Sequence, residues 1–306
     1  MRMQPILAIL AAALLVAAQS GCGVKLLSLS EEVALGSEAA PQLTQEYGGA
    51  VPDARLGDSL TRVGRSMTDT LEGDFRDLPW EFTLLNSPVI NAFALPGGKV
   101  FVSRALIERM TNEAQLAGVL GHEIGHVTAR HGNQKISASL IAQGVVIGAA
   151  VAVSGSDNDL LAAGVPLLVQ AGSGSFLLKY GRDQELESDR LGMEYMTRVG
   201  YNPLAMRQVM EILAEASGGS SPPEFFSTHP HPESRIEQID SLIASKYSNT
   251  QFNEQYQMYQ SRFNDEFLQP LGRTPQPQAS RINLLAPETW CATCAVMEAE
   301  PVAAAN

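Results

Sequence analysis

Five consecutive residues, His122-Glu123-Ile124-Gly125-His126, constrain this chain more than any other stretch. On a helix, side chains four residues apart lie one above the other, so both imidazoles can reach a single metal ion. Glu123 then stays beside that ion, where a carboxylate can take a proton from a polarised water. The local sequence supports the helix. Asn112 reads as its N-cap with Gln115 as capping-box partner, and Leu116, Val119, Leu120, Ile124 and Val127 keep a 3.6-residue apolar stripe. Gly118, Gly121 and Gly125 each weaken an isolated helix by ~1 kcal/mol relative to Ala, so close packing must stabilise this one. The five histidines of the chain are also not scattered: all lie within 122–131 and 229–231.

A catalytic zinc takes a third protein ligand and keeps a fourth position open. The fold must therefore bring a distant segment to the motif. The long form of the motif, with a glycine and a third histidine just downstream, fails at Ala129 and Gly132. A glutamate about twenty residues on would fall near Val146, which is no donor. Residues Gly181 to Gly192 supply carboxylates in a helical context instead, and Glu185 and Asp189 are again four apart. One can bind the metal while the other accepts a hydrogen bond from the remote nitrogen of a ligand histidine. A Glu-x-x-x-Asp pair on a charged helix is ordinarily a solvated face, and it gains meaning only beside the upstream motif. Glu187 points the opposite way and is expected in solvent.

Four blocks, Asn91 to Val102, Gly121 to His126, Glu185 to Gly192 and Ser227-Thr228-His229-Pro230, stand in a recognisable order. Together they resemble the zinc metallopeptidase family of the CAAX prenyl protease, the mitochondrial Oma-type protease and their bacterial periplasmic relatives. The resemblance runs over residues 80–245, and it rests on the combination, since each block alone is unspecific. It implies one zinc ion per chain, with His122, His126 and Glu185 as ligands, Glu123 as general base and Asp189 as partner of a ligand histidine. It further implies that His229 approaches the metal, either stabilising an oxyanion or filling the fourth position and silencing the enzyme. The plainer alternative for His229 is a loop residue without metal contact. His131 and His231 read as non-ligands, and Arg235 is a candidate partner for an active-site carboxylate.

Trp80 to Leu85 alternates like a strand, Lys99 to Ser103 is a second, and Leu95-Pro96-Gly97-Gly98 between them is turn chemistry. An edge strand carrying Val100, Phe101 and Val102 beside the metal would pair with an extended peptide through backbone hydrogen bonds. Asn91 either positions that peptide or is an ordinary turn asparagine. Asn202-Pro203 opens a helix running to about Ala216. The fold expected is α+β, mainly helical: a zincin-like metalloprotease domain with a small β-sheet beside the active-site helix.

Arg2 precedes an apolar run from Ile6 to Ala18, too short for a confident span and suited to a secretory signal over residues 1–21. Ser20-Gly21-Cys22 resembles a bacterial lipoprotein cleavage site with Cys22 acylated, although Gln19 stands where an aliphatic residue is usual; cleavage without lipid is the alternative. Gly23 in place of aspartate favours the outer membrane, so the expected location is the periplasm, anchored through Cys22. Cys291 and Cys294 would form a small disulfide in that oxidising compartment. The metallopeptidase domain is expected over 22–248, with a C-terminal extension, 249–306, partly helical and then disordered. Residues 136–153 are nearly apolar, but a true span would part the motif from Glu185, which favours a buried or membrane-surface helix. Gly172-Ser173-Gly174-Ser175 suggests a mobile lid. A net charge of −12 excludes nucleic acid as an electrostatic partner. By resemblance, the substrates are misfolded or stalled envelope polypeptides, with the outer-membrane assembly machinery as a partner. The competing function is a catalytically silent, zinc-stabilised lipoprotein acting as a chaperone for outer-membrane proteins.

Overall fold

A computed structural model describes residues 23–142, 179–217, 224–229 and 232–277. Cys22, Cys291, Cys294, His231, the apolar stretch beyond Ala142 and the Gly172–Ser175 segment lie outside the described residues.

Helix α1 (Leu29–Glu46) begins at a capping box in which the Ser28 hydroxyl accepts from the Glu31 N–H and the Glu31 carboxylate accepts from the Ser28 N–H. Helix α2 (Ala54–Thr68), capped by Asp53, lays Leu56, Leu60, Val63 and Met67 into the core against strand β1 (Glu81–Leu85). Strands β2 (Ala92–Leu95) and β3 (Lys99–Ser103) form a hairpin. Its turn needs glycine: Gly97 and Gly98 have φ of +79° and +93°, and a Cβ on Gly97 would fall 2.4 Å from the Val33 backbone of α1.

The sheet order is β1-β3-β2, with β3 parallel to β1 and antiparallel to β2. This corrects the expected substrate strand. Val100, Phe101 and Val102 lie on the central strand, fully buried, with neighbours paired on both sides. They have no edge to offer a peptide. Among the described residues, the unpaired edge beside the motif helix belongs to β2, whose four residues are all buried and so give no alternating pattern to read.

Short helix α3 (Arg104–Ile107) leads into the motif helix α4 (Glu113–Thr128). Asn112 caps it, its side chain accepting from the Gln115 N–H at 3.0 Å, while Gln115 reaches back to the Thr111 N–H at 2.7 Å, one residue earlier than an ordinary capping box. Every residue of α4 from Glu113 to Val127 is buried. After Arg130 the chain enters α5 (His131–Ala142), and α6 (Arg182–Arg198), α7 (Leu204–Ser217), α8 (Phe225–Thr228) and α9 (Pro232–Ser245) follow. The Asn202 side chain accepts from the Leu204 N–H at the start of α7. A last helical run, α10 (Gln260–Phe263), passes through a π-helical stretch, Asn264–Leu268, into Gln269–Leu271, and places Phe263, Phe267 and Leu271 in the main core.

Glycines set the approach of α6 to α4. A Cβ on Gly192 would lie 2.7 Å from the His122 nitrogen, one on Gly121 2.9 Å from the Gly192 carbonyl oxygen, and one on Gly125 3.0 Å from that of Ser188. Only bare backbones fit this crossing, and it is what puts Glu185 and Asp189 against the motif. The architecture is thus mainly helical with a three-stranded sheet beside the motif helix. Among the described residues no helix is long and apolar enough to cross a membrane.

Candidate metal centre

Helix α4 supplies His122 and His126, the first turn of α6 supplies Glu185, and the end of α8 supplies His229. One donor atom from each lies within 4.8 Å of all the others, and all four residues are buried. The two motif Nε2 atoms are 3.0 Å apart, and Glu185 carboxylate oxygens lie 3.6 Å from His122 Nε2 and 3.4 Å from His126 Nε2. Glu123 stands alongside, its Oε1 3.5 Å from His229 Nε2. The Ala94 N–H of edge strand β2 faces the Glu123 carboxylate without closing to a full hydrogen bond.

Partners on the far side of each ring assign the tautomers. His122 Nδ1 donates to Asp189 Oδ1 at 2.8 Å, and His229 Nδ1 donates to the Thr228 hydroxyl at 2.7 Å, which itself donates to the Phe225 carbonyl. His126 Nδ1 lies 3.0 Å from His131 Nδ1. His122 and His229 thereby turn bare Nε2 lone pairs toward one point, and His126 Nε2 points there too. Both oxygens of Glu185, both of Glu123 and His229 Nε2 have no hydrogen-bond partner among the described residues. Buried acceptors left unpaired at such spacing repel one another, and a cation among them satisfies them together. Imidazole and carboxylate donors suit zinc.

Electrostatics favour neutral rings, the form that binds metal. Burial pushes His122 down to about 4, helped by the Arg235 charge and opposed by Asp189. Burial and the neighbouring imidazoles hold His126 and His229 well below the ordinary histidine value. Burial pushes Glu123 up to about 8 and Glu185 well above its usual range, Arg235 opposing both. Asp189 goes the other way: burial would raise it, but Arg235 and His122 outweigh that and hold it low.

Residues 56–243 match the family model of Peptidase family M48. The chain belongs to this family. Among M48 relatives, the "Beta-barrel assembly-enhancing protease" of Escherichia coli (strain K12) is 34% identical over 219 residues, which cover 69% of this chain and 43% of that protein. The "Mitochondrial metalloendopeptidase OMA1" of Schizosaccharomyces pombe is 30% identical over 240 residues, 76% of this chain and 68% of that protein. That of Bos taurus is 31% identical over 172 residues, 55% of this chain and 33% of the relative. The chain thus spans less than half the length of the bacterial M48 relatives it matches.

Sequence reasoning brought the four donors of this M48 chain together and named Arg235 as a candidate carboxylate partner, but it missed the aromatic rings that frame them and the pairing of Arg235 with two carboxylates at once. Arg235 of α9 is fully buried: Nε and Nη2 donate to the two Asp189 oxygens at 2.7 Å each, and Nη1 lies 2.9 Å from Glu185 Oε2, off the hydrogen-bond axis. Its charge offsets two buried carboxylates at once. Tyr180 stacks on His126 with ring centroids 3.7 Å apart, and its N–H donates to the Thr228 carbonyl. Phe225 stacks on His229 at 4.3 Å. Glu187, expected in solvent, is half-exposed yet reaches His131 Nε2 at 3.2 Å. Asn91 sits buried at the head of β2, its N–H donating to the Ser103 hydroxyl, its amide to Tyr47 Oη at 3.5 Å, and its Oδ1 unpaired among the described residues. Tyr47 in turn donates to Glu224 at 2.5 Å, tying the head of β2 to the segment that carries His229. None of these contacts has a spacing signal, because each partner comes from a different element.

Proposed function

We propose that this chain is a zinc-dependent endopeptidase of the bacterial periplasm that hydrolyses peptide bonds in misfolded or stalled envelope polypeptides. The observation that carries the chemistry is the convergence of His122, His126, Glu185 and His229 donors on one buried point beside an unpaired Glu123. The name of the bacterial M48 relative, a beta-barrel assembly-enhancing protease, supports the substrate class and the compartment, and that of the mitochondrial metalloendopeptidase supports the reaction.

His122, His126 and Glu185 would hold the ion, and Asp189 and Arg235 orient His122 and Glu185. When bound, zinc supplies Lewis acidity, polarising the scissile carbonyl and bringing the pKa of water to ~7. Glu123 takes the proton of the attacking water on a carboxylate oxygen and returns it to the leaving amine nitrogen. The free edge of β2, Ala92 to Leu95, holds the substrate extended by backbone hydrogen bonds, with Asn91 at its head. Lipidation at Cys22 would keep the enzyme on the outer membrane, and a Cys291–Cys294 pair would close a small disulfide; release from the membrane fraction on Cys22→Ser tests the anchor.

Glu123→Gln tests the mechanism. The variant is expected to retain stoichiometric zinc and to lose casein cleavage by ~10²–10⁴-fold. An active Gln variant refutes the proposed base.

The placement of His229 Nε2 among the other donors favours a second reading, a closed centre in a catalytically silent, zinc-stabilised chaperone for outer-membrane proteins. His229→Ala separates the two. Cleavage of a denatured barrel protein by wild type or variant supports the peptidase, whereas suppressed aggregation without cleavage by either supports the chaperone.

A further inference from the structure

Each motif histidine has a partner behind its ring, and the two partners differ. His122 leans on Asp189, a buried carboxylate locked by Arg235. His126 leans on a second imidazole. His131 is 1% exposed, its Nδ1 lies 3.0 Å from His126 Nδ1, and its Nε2 lies 3.2 Å from Glu187 Oε2, whose side chain is 49% exposed. Two facing Nδ1 atoms can share only one proton, so one ring donates and the other accepts. As a metal ligand His126 keeps Nε2 unprotonated, among the His122 and Glu185 donors, so it carries its proton on Nδ1 and donates. His131 accepts on Nδ1, carries its own proton on Nε2 and donates that to Glu187. The Ser188 hydroxyl, 3.3 Å from His131 Nδ1, holds the accepting edge from a second direction.

The backbone is bent to make this contact. Arg130, the residue before His131, is one of only two non-glycine residues with positive φ among the described residues, at +58°. It is held there by Glu32, which accepts from its Nε at 2.6 Å, and by the Leu27 carbonyl. That turn carries the chain from α4 into α5 and swings His131 back against the helix it has just left. Strain at a bulky residue persists where its surroundings fix it, and here the surroundings are an ion pair from α1.

We propose that His131 and Glu187 are positioning residues for His126: a hydrogen-bonded relay that fixes the ring's plane and tautomer, raises the basicity of its Nε2 and opens on solvent at Glu187. The inference rests on the reading of His126 as a metal ligand. Neither relay residue touches the ion or the substrate.

Zinc competition against a chromogenic chelator, together with the visible spectrum of the cobalt-substituted protein, tests it on the full chain. His131→Leu keeps bulk and removes the acceptor; zinc affinity is expected to fall by ~10–100-fold with an altered cobalt spectrum. His131→Gln can accept from His126 through its amide oxygen and donate to Glu187 through its amide nitrogen, so it is expected to recover most of that loss. Glu187→Ala, at an exposed site that leaves packing intact, is expected to weaken zinc several-fold and shift the same spectrum. Wild-type affinity and spectrum in either His131→Leu or Glu187→Ala overturn the relay, as does an equal loss in His131→Leu and His131→Gln. If His131→Leu fails to fold, the Glu187→Ala result alone decides. A wild-type protein that takes up no zinc overturns the metal-centre reading and this inference with it, whereas tight wild-type binding with unaffected variants overturns this inference alone.

Discussion

Arg235 is the residue on which the most buried charge depends. It faces Asp189 with two hydrogen bonds and Glu185 with a third nitrogen, and none of the three side chains reaches solvent. Removing one member of a buried ion pair leaves its partner uncompensated, which costs about 3–5 kcal/mol. Arg235→Met is therefore expected to lower the unfolding free energy of the metal-free protein, measured in urea, by that order, and Arg235→Lys to recover little, since an ammonium cannot span both Asp189 oxygens. Unchanged values would show the pair to be dispensable. At this scale the sequence disclosed residues that repeat at helical spacing: His122 with His126, Glu185 with Asp189. It concealed those that meet only in space. Tyr180 and Phe225 reach the site from segments 54 and 99 residues beyond His126, and no periodicity connects them to it, whereas Arg235 was only a candidate partner for one carboxylate and pairs with two.

Helix α4 shows how an element can be legible while its surroundings are not. Its cap, apolar stripe and motif were all readable, and two of its three glycines, Gly121 and Gly125, sit where close packing was expected. The carboxylates pointed to the Glu185 helix as the one brought to the motif, but how closely it would cross was not readable, because Gly192 looks like any glycine until its place on α6 is known. Gly192→Ala is expected to force α6 from α4, since the added carbon would meet the His122 and Gly121 backbone. Overpacking of this kind costs typically 1–3 kcal/mol. It would also carry Glu185 away from the imidazoles, so thermal melting and zinc titration should both respond. A loss of stability with zinc affinity intact would mean that the crossing supports the fold without setting the site. The sheet was half legible. Strand β3 and the Pro96-Gly97-Gly98 turn stood out, but β2, buried on both faces, has no alternation, and its absence from the reading made β3 look like an edge.

Across the whole molecule, one carboxylate joins distant parts of the chain. Glu113, at the first turn of α4 and fully buried, accepts from Arg62 of α2, Arg262 of α10 and the Tyr201 hydroxyl. Burial would raise its pKa, but these partners prevail and hold it below the ordinary carboxylate value. An acid depressed in the folded state binds protons more readily unfolded, so its stabilisation is present above the unfolded pKa and lost as pH falls through the folded one. Glu113→Gln should cost about 2 kcal/mol at pH 7, a value discounted because both arginines are partly exposed, and should match wild type once the pH drops below the folded pKa. A gap in melting temperature that does not narrow on acidification would contradict this. No part of the sequence announced the cluster, because its members span Arg62 to Arg262 and each reads alone as a surface charge.

The free rim of β2 has a consequence for what such an enzyme would cut. Recognition along that rim reads amide and carbonyl groups, which every polypeptide carries, and hardly reads side chains. Selectivity must then come from the substrate's own state: a strand already stitched to its neighbours has nothing left to offer, whereas one still waiting for a neighbour does. Such an enzyme would measure how long a polypeptide stays unzipped, without needing any signal written in its sequence.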